Sequence, residues 1–146
     1  MTIRNLEYLF KPRSIAVVGR GKQTSGSDAT VEFNLIEGGF KGPVMPVNPD
    51  HQSISGVLAY KDVASLPVTP DLAILTTPLD EAPALIEQLG ARGTKAALLL
   101  TREVLQDHHG NKPALLSQDM LRRYPDEGEL LRQRILDAAK PHLLRL

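Results

Sequence analysis

No cysteine occurs in the 146 residues, which removes disulfides, thiolate nucleophiles and cysteine-ligated metals from consideration. Tryptophan is absent too, and aromatic residues make up only 4% of the chain, too few for the stacking platforms that grip single-stranded nucleic acid. An excess of one charge is also lacking. The 17 Lys and Arg balance the 17 Asp and Glu, so there is no basic footprint for nucleic acid and no acidic tail. No apolar run approaches the roughly 18 residues that a membrane span needs. Arg4, Glu7 and Lys11 interrupt the region where a signal peptide would carry its apolar stretch. These absences leave the expectation of one cytoplasmic domain, 1–146, large enough to bury a core without staples.

The chain is organised around Ser14 to Ser27, SIAVVGRGKQTSGS. Ile15 to Val18 is a short apolar run with no charge inside it, the pattern of a parallel strand buried on both faces. Gly19 and Gly21 end the run, Arg20 and Lys22 add positive charge, and Ser25, Gly26 and Ser27 lead into a helical pattern. Strand, glycine loop and helix in that order form a phosphate-binding device. Glycines let backbone approach a ligand, and the free N–H groups of the first helical turn face the anion.

Other elements follow in order. Met1 to Phe10 places Ile3, Leu6, Leu9 and Phe10 at helical spacing. The helix from Ser27 puts Val31, Leu35 and Ile36 on one face and stops at Gly38-Gly39. Val44 to Val47 reads as a strand interrupted by Pro46, and Asn48-Pro49-Asp50-His51 as a turn. Ser53 to Leu66 is irregular, with a short strand at Val57 to Tyr60. Asp71 to Thr76 is the third strand of the main series. Thr77, Pro78 and Asp80 then predict a capped helix with Ala82, Leu85, Ile86 and Leu89 inward, ended by Gly90 and Gly93. Ala96 to Leu100 is a fourth apolar strand. Thr101 to Tyr124 carries no readable period, and its His108-His109 pair reads as a solvated loop because adjacent positions rarely converge on one metal ion. Asp126 and Glu129 predict another capped helix, through Ala139 with Leu131, Ile135 and Ala138 inward, before an apolar, strand-like His142 to Leu146.

Strands alternating with helices predict an α/β fold, a single Rossmann-like domain with a parallel sheet and helices on both faces. Ligands of such sheets bind beyond the carboxyl ends of the strands. The candidate site is therefore Gly19 to Ser27, Asn48 to His51, Thr76 to Pro78, and Thr101. A nicotinamide dinucleotide fits only in part. Gly19 and Gly21 match the G-x-G-x-x-G template, but Thr24 occupies the third glycine's place, and the second strand ends in Val47-Asn48 rather than an acidic residue.

KPRSIAVVG, a Gly-Ser before a helix containing Asn34-Leu35, GGFKGPVMPVNPDH and LPVTPDLAILTTP together resemble the N-terminal CoA-binding domain of the NDP-forming acyl-CoA synthetase superfamily. That superfamily includes the alpha subunit of succinyl-CoA ligase and bacterial protein-lysine acetyltransferases that carry this module. The resemblance covers residues 5 to 100 and resumes at AAKPHLLRL. It implies CoA or acetyl-CoA as ligand. Ser25, Gly26 and Ser27 would hold its phosphates, Asn48 and Pro49 would line the adenosine end, and His51 would neighbour the nucleotide phosphate. Thr76, Thr77 and Pro78 would form the next wall and Thr101 the edge. Arg20 and Lys22 depart from the family pattern but put positive charge beside the phosphates.

Asp28-Ala29 also departs from that pattern, and a carboxylate in the first turn suits the helix dipole while repelling a phosphate. Each contact has a plainer alternative: Asn48-Pro49 as a turn, Thr77 as a helix cap, and His51, Arg20 and Lys22 as solvated groups. In the ligases of this superfamily the phosphorylated histidine lies in another domain, and none of His51, His108, His109 or His142 has its context. The chain is expected to be a piece of a larger multidomain enzyme, acetyltransferase or ligase, with a CoA thioester and the other domains of its parent as partners. Self-association as a homo-oligomer stays open. The alternative is a non-enzymatic nucleotide-sensing or assembly module whose CoA site has degenerated.

Overall fold

The computed structural model describes residues 5–19, 27–78, 80–100 and 125–146. In chain order its elements begin with α1 (Leu6–Phe10), β1 (Ile15–Val18), α2 (Ser27–Glu37) and β2 (Val44–Val47). A hairpin of β3 (Ser53–Ile54) and β4 (Val57–Leu58) and a 3-10 turn at Val63–Ser65 follow. Then come β5 (Leu72–Leu75), α3 (Ala82–Arg92), β6 (Ala96–Leu99), α4 (Pro125–Ala139) and a second 3-10 turn at Lys140–His142.

The main sheet is parallel, in the order β2-β1-β5-β6. Every residue of β1 and β5 is buried, as their uncharged runs predict. Successive side chains point to opposite faces, so the two cores divide by parity. Ala16, Val18, Ala73 and Leu75 pack with Ile86 and Leu89 of α3 and Ile135 of α4. Ile15, Val17, Leu72 and Ile74 pack with Val31 and Leu35 of α2 and with Tyr8 and Leu9 of α1. The expected helices on both faces are present.

Pro46 sits inside β2 without disturbing the sheet because β2 is its edge strand. The Pro46 carbonyl faces outward and accepts from Tyr60 N at 2.8 Å. The position of the missing N–H faces the same way, away from β1. Tyr60 forms a parallel bridge with Val47, and Asn48 N donates to the Tyr60 carbonyl at 2.8 Å, so this strap covers the exposed edge.

Several expectations are corrected. The helix after β5 does not start at Pro78 under a Thr77 cap. It starts at Ala82 with Glu81 at the N-cap position and no side-chain capping bond. Pro83 is the reason: in a helix begun at Pro78 it would lie in the interior, lacking the N–H owed to Leu79 and clashing with that carbonyl. Pro83 instead occupies the first turn, where no N–H is needed. The helix ends, as expected, on Gly93 in the left-handed region, φ 97°. Gly90 does not end it, being buried within α3. Phe10 and Ile36 point outward, 74% and 38% exposed, while Tyr8 takes an inward place. The irregular stretch from Ser53 holds a two-residue hairpin turn, Ser55-Gly56, with φ of 50° and 81°. The terminal segment contributes a single bridge, Arg145 to Ala96, rather than a strand.

Candidate functional site

The chain leaves β1 toward β2 on one side and returns to β5 on the other. The carboxyl ends of β1 and β5 are therefore the topological switch point, where open α/β sheets leave a crevice. Backbone pairing runs on past the strands there. Gly19 N donates to the Val47 carbonyl at 3.1 Å, and Thr76 N to the Val18 carbonyl at 2.9 Å.

A cleft of about 300 Å³ opens at this edge. Val18, Gly19 and Val47 form its floor and Pro49 one corner. Lys61, Asp62 and Val63 line one wall; Thr77, Glu81, Leu85 and Gln88 line the other. The first wall is shaped by Asp62, whose Oδ1 accepts from Ser65 N at 2.8 Å and Ser65 Oγ at 2.6 Å, capping the 3-10 turn. Those bonds, the one from the Ser65 hydroxyl foremost, hold the Asp62 carboxyl below the usual carboxylate range. The cap therefore persists through neutral pH and is lost only as pH falls through that lowered value.

Both edges of the sheet hold buried polar atoms without a partner among the described residues; Thr94 Oγ1, just before β6 at the amino edge, is one, and Arg92 Nε at the end of α3 is another. At the amino edge Arg13 donates to Asp71 Oδ2 from both N and Nε, and Asp71 N donates to Ser14 Oγ. At the carboxyl edge two buried groups have no partner among the described residues, Asn48 Nδ2 and Thr77 Oγ1. Such groups cost roughly 1–3 kcal/mol each when left unsatisfied. Asn48 is 1% exposed; its Oδ1 accepts from Asp50 N at 2.8 Å and makes the turn, which leaves the amide nitrogen to spare. Thr77 is 4% exposed, and with α3 starting further on it caps nothing.

Of the residues expected at the site, Gly19, Pro49 and Thr77 share the cleft, and Asn48 is buried between two of its lining residues in the chain. Thr76 is turned away from that role: its hydroxyl donates to the Val18 carbonyl at 3.2 Å. Pro78 is exposed, and His51 is half-buried at the end of the Asn48 turn; neither lines the cleft. Ser27 opens α2 as expected, but its side chain and that of Asp28 lie outside the described residues, as do Arg20, Gly21, Lys22, Ser25, Gly26 and Thr101. So does the His108-His109 pair. Sequence reasoning missed Lys61, Asp62, Glu81 and Gln88. The one available signal was the spacing Asp62-x-x-Ser65, a turn cap rather than a ligand motif.

The profile of the CoA binding domain family matches residues 13–144. The chain belongs to that family. This CoA binding domain is 26% identical over 145 residues to ADP-forming acetate–CoA ligase II of Archaeoglobus fulgidus, covering 99% of this chain and 19% of the ligase. It is 35% identical over 97 residues to the alpha subunit of ADP-forming acetate–CoA ligase II of Pyrococcus furiosus, covering 66% of this chain and 21% of that subunit. Among solved structures it is similar to the dinucleotide-forming acetyl-coenzyme A synthetase 1 of Ca. Korarchaeum cryptofilum. That match has a TM-score of 0.72 and 28% identity, over 96% of this chain and 26% of the synthetase. The CoA binding domain thus spans a fifth to a quarter of the length of these enzymes. CoA or acetyl-CoA is its ligand class, and the two unpartnered buried groups fit that ligand, which is rich in carbonyl, phosphate and ring-nitrogen acceptors.

Proposed function

We propose that this domain holds CoA or acyl-CoA for an NDP-forming acyl-CoA ligase. The observation that carries the reading is the match of the CoA binding domain family over residues 13–144, and two buried groups at the switch-point edge of that domain, Asn48 Nδ2 and Thr77 Oγ1, have no partner among the described residues. Ligand acceptors would take both hydrogen bonds. Lys61 would add positive charge at the cleft, and the glycine loop Gly19 to Ser27 would supply the phosphate-facing backbone. Acyl transfer itself needs further domains of the parent enzyme, consistent with the fraction of each ligase that the chain matches. A ligase parent is favoured over an acetyltransferase because the relatives above are ligases and synthetases. A cytoplasmic location accompanies this reading.

Thermal denaturation with CoA, acetyl-CoA and NAD tests it. A ligand that binds only the folded state at 100 times its Kd adds about 2.7 kcal/mol. CoA or acetyl-CoA should therefore raise the melting temperature by several degrees, and NAD should not. A larger shift with NAD overturns the reading. No shift with any of the three favours the degenerate sensing or assembly module, for which the two carboxylates Asp62 and Glu81 on the cleft walls provide a motive.

Thr77→Val separates stability from binding. The substitution keeps the branched shape and removes a hydroxyl that has no partner among the described residues, so the unliganded domain should gain about 1 kcal/mol, a few degrees in melting temperature. CoA affinity should fall at the same time. A Thr77→Val variant that is stabilised and binds CoA as well as the parent would remove Thr77 from the site.

A further inference from the structure

The cleft has two long walls, and α3 builds one of them. Leu85 and Gln88 line it from α3 and Glu81 from the N-cap of that helix, while Val63 of the 3-10 turn and Lys61 and Asp62 just before it line the opposite wall. A polar clasp joins these walls away from the cleft. Arg92, in the last turn of α3, donates from Nη1 to the Ala64 carbonyl at 3.1 Å and from Nη2 to the Leu66 carbonyl at 2.8 Å. The turn leaves these two carbonyls over, since its own bonds use the carbonyls of Asp62 and Val63. The backbone of Arg92 answers from the other side, its carbonyl accepting from Thr69 Oγ1 at 3.1 Å. Spanning two carbonyls two residues apart suits a rigid planar guanidinium. An ammonium on a flexible stem holds no such fixed fork.

We propose that Arg92 is a positioning residue for the ligand cleft. It does not line the cleft; by clasping the Val63–Ser65 turn to α3 it sets the spacing between the two walls. For its ligand this inference rests on the CoA reading above, whereas the clasp itself exists without one. A wall already held in place need not be ordered when the ligand arrives, so the clasp favours binding by preorganisation. Losing it makes the turn a mobile wall, and affinity falls although no contact to the ligand has been removed.

Hydrogen exchange on the unliganded 146-residue chain tests the clasp directly. In Arg92→Lys the Ser65 and Leu66 amides should exchange about tenfold faster while those of β1 and β5 keep their rates. Unchanged rates at Ser65 and Leu66, in this variant and in Arg92→Met, which keeps an unbranched stem and loses both donors, overturn the proposal whatever the ligand does. Calorimetry with CoA tests the consequence. Arg92→Lys should weaken CoA about tenfold, and in an Asp62→Ala background, where the turn has lost its cap, it should add little, as expected for two groups in one network. A lower melting temperature with an unchanged CoA Kd would make Arg92 a stability residue only and overturn the proposal, as would losses that add in full. If the parent chain fails to bind CoA, the CoA reading falls, and the exchange result alone decides whether Arg92 positions the wall.

Discussion

Val17→Asp should leave the chain without a cooperative thermal transition, read by circular dichroism at 222 nm. Val17 is fully buried in β1, in register with Pro46 of β2 on one side and Ile74 of β5 on the other. Its side chain packs in the core under α1 and α2, among apolar residues that include Ile15, Leu72 and Ile74. A carboxylate there has no cation to pair with in that cluster, and protonating it to escape the charge still buries an unsatisfied polar group. Lost transfer free energy of the valine adds roughly 1.5–3 kcal/mol. With the roughly 2–7 kcal/mol cost of the buried polar group, the loss takes up most of the roughly 5–15 kcal/mol of stability usual for a domain. A Val17→Asp chain that melts cooperatively near the parent temperature would show that β1 is not the centre of the sheet.

Gly90→Val should destabilise the domain by about 3 kcal/mol, the upper end of overpacking costs. Gly90 is buried inside α3, and a Cβ built there would lie 2.6 Å from Cβ, Cγ and Cδ2 of His142. His142 belongs to the 3-10 turn that ends α4 and leads to Arg145 at the edge of β6. Valine therefore pushes the end of α4 off α3 and loosens the bridge between Arg145 and Ala96. Helix propensity alone predicts the opposite sign, since glycine is the poorer helix former by several tenths of a kcal/mol. Chemical denaturation distinguishes the two. A variant as stable as the parent would mean that the turn does not rest on α3, whereas partial rescue by His142→Ala, which keeps the Cβ, would measure the share of the clash that the ring carries.

Much of the sheet is legible in the amino-acid sequence because its signals are local. β1, β5 and β6 are uncharged apolar runs, and a strand buried between helical layers, as β1 and β5 are, needs little else, while β6 at the sheet's end leaves Leu98 exposed. Val31 and Leu35 of α2, and Ile86 and Leu89 of α3, recur at helical spacing and do face the sheet. Where two local signals compete, each taken singly misleads. Thr77-Pro78 is a good helix start in isolation, and Pro83, five residues on, makes it impossible. The β3–β4 hairpin has two residues per strand, too short for any period to show. Phe10 sits four residues from Leu6, at helical spacing, yet α1 turns Tyr8 and Leu9 toward the sheet instead.

The sequence by itself determined the parallel α/β sheet and the family resemblance that points to CoA, and it proposed the carboxyl edge as the place for a ligand. It also marked Asn48, Pro49 and Thr77, because turn and strand-end residues can be read from their immediate neighbours. The tertiary structure alone decided which polar atoms at that edge are without a partner among the described residues. It brought Lys61, Asp62 and Val63 across from Glu81, Leu85 and Gln88, and it showed that Arg92 clasps one wall to the other. The reason is physical. Periodicity and capping depend on residues a few positions apart, whereas Arg92 bonds carbonyls 26 and 28 residues away. A backbone carbonyl is the same group in every residue type, so no side-chain pattern announces which one will be left over until the chain has folded.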